Sequence, residues 1–501
     1  MPPSAPTPEN FPPELALSRL PGSQWQEANA AHLFRRMGFS ADKSAVQSAL
    51  RKPLRQVVLD AFMPGEELPE SDKLRAYKDS LPKRRAKIRA TSDREEVRKL
   101  RRELRQEENE CFREFAIQWF RHARDPENSA REKFVLFLQN IFVVERDKIK
   151  QAHWLHSLQS TLRRGIQGDY RELCKKISRE PAMIRYLDLQ QSTMLEPNEN
   201  FARELFELFI LGEGNYTEKD VKEAARAFTG YRIRNGTDFH FNKYKHDDRE
   251  KTIFGETGKW TGDEVIDLAF EQPAARTYFI RELFKYYLAE ETPHEAYVEA
   301  FGEQWANYGF KLRNLLEIFF QSRLFFHPTY RGNLIKSPVQ FYLGLCQDLK
   351  IDVLPFQTNL LRSMASMGQS FYNPPNVRGW LYGRNWINAT TVSARRQLVE
   401  QLFSPLNDDK LNGEEKEQLE QAEELGQGNF LVTRERLREL PDLEPEALAE
   451  HFVTFFITQH SSEQYKQVLE ELLADKESDD SLDQLRYALI ALLQSPAYNL
   501  S

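Results

Sequence analysis

The sequence predicts a mainly α-helical, multi-helical protein interrupted by a small β-hairpin near residues 231–255. Three observations carry that prediction. Apolar residues recur at steps of three, four and seven through most of the 501 residues, the period of a helix face. The interior is supplied by rings, 34 Phe, 18 Tyr and 7 Trp, which suit helix packing better than a β-branched sheet. Only Tyr231-Arg-Ile-Arg-Asn-Gly-Thr-Asp-Phe-His-Phe241 alternates, placing Tyr231/Ile233 and Phe239/Phe241 on either side of Asn235-Gly236. That dipeptide suits a tight turn with two positive φ angles. Lys251–Gly255 offers a third short strand.

A chain of this length exceeds the size at which one core keeps growing, so two or three packed units are expected. The net charge of −7 argues against a chain built throughout to coat nucleic acid and leaves room for a local basic segment. Cys111, Cys174 and Cys346 stand far apart, in neither disulfide nor zinc-ligand spacing. The Pro-rich N-terminus has no charged-then-apolar leader, and no apolar run reaches about 18 residues. As written the chain reads as cytoplasmic and without a transmembrane segment; a trimmed leader would make it an exported protein.

Residues 1–23 read as a disordered or loosely docked Pro-rich tail. A helical core domain then spans 24–403. Its first helix runs through Ala31–Met37 and stops at Gly38, and a second restarts at Ser40 with Val46, Leu50 and Leu54 on one face. Residues 83–105 carry eleven Lys/Arg against four Asp/Glu, with Val97, Leu100, Leu104, Cys111 and Phe115 at helical spacing. This predicts one basic amphipathic helix. Its plain reading is a solvated helix packed by its Val/Leu stripe. A nucleic-acid arm that neutralises phosphates is the sharper reading, and it is not favoured because no recognition motif accompanies the run. Helices follow over 112–124, 130–146 and 170–186. A C-terminal helical extension, 404–501, begins with the acidic stretch Gly413–Gly426, an exposed helix or linker. Leu312–Phe325 aligns without a gap to Leu485–Tyr498, sharing Leu-Arg, Gln-Ser and a closing aromatic. This points to a duplicated helical unit at about 281–327 and 450–499.

Three constellations carry candidate chemistry. In Pro197–Gly212 a regular α-helix places Phe201, Leu205, Leu208 and Phe209 on one face and Asn200, Arg203, Glu204 and Glu207 on another. The i, i+4 pairs Glu199/Arg203 and Arg203/Glu207 make an exposed salt-bridge ladder the plain reading. The functional reading is a carboxylate network shared with Glu223 and Arg226 of the next helix, which starts at the capping box Thr217-Glu-Lys-Asp220. Glu204 and Glu207 are then candidate catalytic carboxylates, and Asn198, Asn200, Arg203 and Arg226 candidate binding residues. In Lys245-His-Asp-Asp248, His246 and Asp247 could act as a general base or ligate a divalent cation, against a solvated turn. The third constellation, Met367–Trp380 with Trp386, presents Gln369, Asn376, Trp380 and Trp386. A sugar or peptide cleft uses such groups, and so does a buried loop. Arg203, Glu204 and Glu207 are expected to lie close to the Gln369–Trp380 loop, with His246 near the same cleft. No nucleophile elbow, P-loop, dinucleotide glycine motif or HExxH helix occurs, and no motif implies a cofactor.

Asp188–Gly230, His246-Asp-Asp248, Gly255-x-x-Gly258, Lys336-Ser-Pro338, Gly368-Gln369 and Pro374-Pro-Asn-Val-Arg-Gly-Trp380 together resemble the bacterial domain of unknown function 1800 family, in the family's order. The resemblance implies no established activity. It does imply genomic pairing with a sulfatase-like family, domain of unknown function 1501, and hence a protein partner. One departure stands out. After Arg131-Glu-Lys133 the family commonly shows a Trp-His-x-His-Phe-like segment, whereas this chain has Leu138-Gln-Asn-Ile-Phe142. The resulting expectation is a binding or assembly protein; the alternative is a hydrolase or metal-assisted enzyme using the carboxylate/His cleft.

Overall fold

The structure is a computed structural model that describes residues 11–439, 444–458, 462–474 and 480–501. These are mainly helical, with two separate two-stranded antiparallel sheets. The helix Pro126–Ile141 lies at the centre: every residue from Ser129 to Ile141 is buried. A helix buried on all sides is normally apolar all round, yet this one carries Arg131, Glu132 and Lys133 in its middle.

Glu132 resolves that conflict. Its two carboxylate oxygens accept from Arg163 Nε and Nη2, both at 2.7 Å, and Oε2 also accepts from Trp119 Nε1 at 2.8 Å. Trp119 belongs to the helix Arg94–Arg124 and Arg163 to the helix Ala152–Gly165. One carboxylate therefore ties three helices together. Burial pushes its pKa up, but the Arg163 and His122 contacts outweigh that and hold it at about 2. Lys133, next in sequence, has only backbone acceptors, Arg35 O at 3.0 Å and Gly38 O at 2.7 Å. Burial drives its pKa well below the usual lysine value.

Several expected elements form differently. The tail docks from Phe11 onward, and residues 1–10 lie outside the described residues. A short helix Pro13–Leu17 buries Ala16, while Leu20 N donates to Gln321 O at 2.8 Å and Leu324 N to Ala16 O at 3.0 Å. Its prolines sit where no ladder N–H is needed. The basic segment is two antiparallel-packed helices, Asp72–Ala90 and Arg94–Arg124, because Thr91 and Asp93 are extended and Asp93 caps the second helix through Glu95 N. Pro53 divides the helix expected after Ser40 into Lys43–Ala49 and Leu54–Ala61. Pro181 likewise starts a separate helix within the expected 170–186.

The hairpin is present. β1 (Tyr231–Arg234) pairs with β2 (Asp238–Phe241), placing Tyr231 opposite Phe241 and Ile233 opposite Phe239. Asn235 and Gly236 take φ of 56° and 82°. β3 (Lys251–Ile253) does not join them; it pairs with β4 (Glu256–Gly258) across Phe254-Gly255. The two segments read as a duplication each contain three successive helices: Ala274–Tyr287, Glu295–Asn307 and Leu312–Gln321, then Pro445–Phe456, Ser462–Leu473 and Ser481–Leu493. Their shared serines do the same work. Ser322 Oγ accepts from Phe325 N at 3.1 Å and Ser495 Oγ from Tyr498 N at 3.3 Å.

Replacing Glu132 by Gln leaves Arg163 buried beside a neutral group, so unfolding free energy should fall by about 3–5 kcal/mol. The wild-type contribution is present above the unfolded carboxylate pKa and is lost as pH falls through about 2. Urea denaturation at stepped pH should therefore show stability declining between about pH 4.5 and 2 in the parent, with a shallower decline in Glu132→Gln.

Candidate functional site

The polar stripe starts as a regular helix, Asn200–Glu204, and then widens into a π-helical turn, Leu205–Ile210. Leu211 N reaches back five residues to Phe206 O at 2.8 Å. Such single turns are rare and recur at functional sites. Leu205, Phe206, Leu208, Phe209 and Ile210 are all buried in it, on either side of Glu207.

The wide turn also redirects Glu207. The expected Arg203/Glu207 pair does not form. Arg203 instead bridges to the next helix, with Nη1 and Nη2 at 2.6 and 2.7 Å from the two oxygens of Glu218, and holds Glu199 at 3.3 Å. Glu207 turns to a residue 171 positions away: Arg378 Nη2 donates to its Oε1 at 2.6 Å, and Tyr216 Oη donates to Oε2 at 2.8 Å. Arg378 lies in the Pro374–Trp380 loop and also reaches Glu213 at 3.4 Å. The stripe and the loop thus meet through Glu207.

Glu204, one α-turn before Glu207, is half-buried and has no hydrogen-bond or ion-pair partner among the described residues. Burial raises its pKa, the charge of Glu207 raises it further, and Arg378 and Arg203 offset part of this. Tyr278 stands nearby, its Oη donating to Leu208 O at 2.9 Å. Beyond Glu213 an open groove of about 690 Å³ runs along Tyr278, Arg281, Glu282 and Glu299.

The other predicted residues divide between this face and the scaffold. Asn198 Oδ1 accepts from Asn200 N at 2.9 Å and Asn200 Nδ2 reaches Leu187 O at 3.5 Å, so both brace the start of the stripe helix. Gln369 Oε1 accepts from Val339 N at 3.0 Å, capping the helix Pro338–Asp348. Asn376 is exposed and accepts from Arg378 N at 2.9 Å, which shapes the turn that presents the guanidinium. Trp380 and Trp386 are buried. With Gln369, Asn140 and Tyr286 they line a cavity of about 30 Å³, room for water and too small for a sugar ring.

His246 and Asp247 form a separate cluster. Asp247 is fully buried between Arg226 Nε at 2.8 Å and Arg249 Nη2 at 2.5 Å, and these partners hold its pKa far below the usual range. His246 is half-buried against Phe241, with Nδ1 3.1 Å from Thr229 O; burial lowers its pKa. Its contacts are with the hairpin and Thr229, not with Glu204, Glu207 or the loop. Arg226 also pairs with Glu223 at 2.7 Å, so the network expected between the two helices is split in two. Among the described residues no three His, Cys, Asp or Glu side chains converge as a metal site.

Arg378, Tyr216, Tyr278 and Asn140 were not singled out from the sequence. Arg378 was in view inside the loop motif, and its unpaired positive charge beside Gly379 was the available signal. Asn140 lies in the segment where the family resemblance sets histidines. Its Oδ1 accepts from Trp380 N at 2.7 Å, and its Nδ2 donates to Trp380 O at 3.2 Å and to Tyr382 Oη. Gly379, at φ 82°, keeps this approach open: a Cβ there would lie 2.2 Å from Asn140 Oδ1. Asn140→Ala should leave the Trp380 peptide groups buried without partners, at about 1–3 kcal/mol for each. The loop should loosen, seen as a shift of tryptophan emission to longer wavelength together with a lower unfolding midpoint.

No curated protein and no solved structure matches the chain. The family described as Protein of unknown function (DUF1800) matches residues 32–500. That span takes in the stripe, the loop, both hairpins and the C-terminal hundred residues that the sequence alone set apart as an extension. The chain therefore belongs to the DUF1800 family of proteins of unknown function.

Proposed function

We propose that the protein is a binding or assembly protein whose recognition face is built from Glu204, Glu207, Arg378 and Glu213 at the head of the open groove. The observation that carries this reading is the Arg378–Glu207 contact at 2.6 Å, which holds the Pro374–Trp380 loop against the π-helical turn. Every other charge there has a partner: Arg203 with Glu218, Glu207 with Arg378, Arg378 with Glu213. Among the described residues of this face, Glu204 is left without one, half-buried and raised in pKa. A Lys or Arg from a protein partner would neutralise it, and the sulfatase-like protein implied by the family resemblance is the partner we propose.

A second reading has one observation in its favour. A carboxyl whose pKa is raised beside a second carboxylate is a general-acid arrangement, and Glu204 with Glu207 matches that description. The metal-assisted form of this reading has less support, since Asp247 is already occupied by two arginines.

Capture of partners from native lysate tests the binding reading. Glu204→Gln should reduce recovery of a discrete partner, while equal recovery by the variant, or a chain recovered alone, would overturn the proposal. The raised pKa means that the ionised form of Glu204 opposes folding, so stability falls as pH rises through its folded-state pKa. Glu204→Gln should accordingly unfold no earlier than the parent at pH 7, and the difference should vanish under acid conditions. Turnover of chromogenic ester or glycoside substrates that is lost in Glu204→Gln would favour the enzyme reading instead.

A further inference from the structure

We infer that the projecting hairpin formed by the helices Asp72–Ala90 and Arg94–Arg124 is a docking surface for a nucleic-acid duplex, held through its phosphates. No residue from Pro82 to Glu107 is buried. Of the eleven cations between Lys83 and Arg105, Arg84 pairs with Glu107 and Arg85 Nη2 donates to Gln151 Oε1 at 2.8 Å. The other nine have no ion-pair partner among the described residues. Asp93, Glu95, Glu96 and Glu103 are interleaved with the run, as in an ordinary solvated face laced by i, i+4 pairs, yet none of these four acids forms an ion pair with a cation of the run among the described residues.

The cations are also ordered. At 100° per residue, Arg94, Arg98, Arg101 and Arg105 fall within about 60° of arc, on a line about 16 Å long. Val97, Leu100 and Leu104 are part-buried, on the side that faces the neighbouring helix. The stripe is therefore a separate face, offered to solvent. It is made of guanidinium groups, whose planar forks match phosphate oxygens.

Three features select the partner. Residues 83–105 contain no aromatic side chain, so bases of a single strand have nothing to stack on. The segment's own balance is +7, so the rest of the chain carries −14 of the total −7. The four stripe arginines lie on one line, which a rod can follow along its length, whereas a planar anionic membrane presents its charge over an area. An acidic protein is the weaker fit as well, since exposed ion pairs between side chains add almost nothing net. A duplex releases condensed counterions for each phosphate neutralised, which makes solvated cations sufficient by themselves.

The test is fluorescence anisotropy of the full chain with a random-sequence DNA duplex across a salt series. Four phosphate contacts predict a slope of log K against log salt of about −3.6, and so roughly 100-fold weaker binding at 200 mM than at 50 mM salt. Replacing Arg94, Arg98, Arg101 and Arg105 together by Gln should remove that binding with the helical circular dichroism unchanged, and replacing them by Lys should retain it. A slope shallower than about −1 would overturn the inference. So would a Gln variant that binds like the parent, a Lys variant that does not bind, or equal binding to anionic vesicles or polyglutamate.

Discussion

The buried carboxylate of Glu132 is the constraint around which the rest of the structure is arranged. A charge with no solvent exposure is tolerable only when its oxygens are fully engaged, and here Arg163 and Trp119 engage them from two different helices. This fixes how the helix Pro126–Ile141 sits between its neighbours, because sliding the Arg163 helix by one turn would strand two buried charges and sliding the Trp119 helix would strand a buried indole N–H. Shape-matched apolar packing alone would allow several such registers. Once this helix is fixed, Asn140 near its C-terminal end is fixed too, and with it the Trp380 loop.

From that anchor the candidate face follows in two steps. Asn140 holds the backbone on both sides of Trp380, which sets the height of the loop above the core. The turn at Asn376–Gly379 then aims Arg378 at Glu207. The indoles stand behind this face rather than on it. They fill the space between the loop and the core, and the polar groups around them serve the loop's own backbone. The residues that meet solvent at the face are charged, a composition suited to recognising another charged surface and unlike that of a deep apolar pocket.

Much of the architecture was legible in the sequence because it depends on local periodicity and turn chemistry. The Asn235-Gly236 hairpin, the Thr217/Asp220 capping box and the apolar faces of the helices are written within a few residues. The repeated Gln-Ser was also legible, although its reason was not: the serine caps the turn after the helix in both copies. Two of the failures share a cause: the docking of Phe11–Leu20 on Gln321 and Leu324 and the burial of Trp380 depend on residues far away in the chain. The break at Thr91–Asp93 is local, set by the Asp93 cap inside the basic run. Asp247 reads as a ligand in a polar loop and becomes a structural anion only when Arg226, on another element, reaches it. The stripe itself misled because a constant 100° step was assumed through Leu205–Ile210.

That wide turn has an evolutionary consequence. A π-helical turn is equivalent to one extra residue inserted into a helix whose two ends keep their places, so the apolar contacts before and after it are undisturbed while a single side chain changes direction. Relatives with one residue fewer here would keep Phe201 and Phe209 in the core and lose only the aim of Glu207. A one-residue gap at this point in an alignment of the family would therefore separate members that tie the loop to the helix from members that leave it untied, a distinction that residue identity at Glu207 alone would conceal.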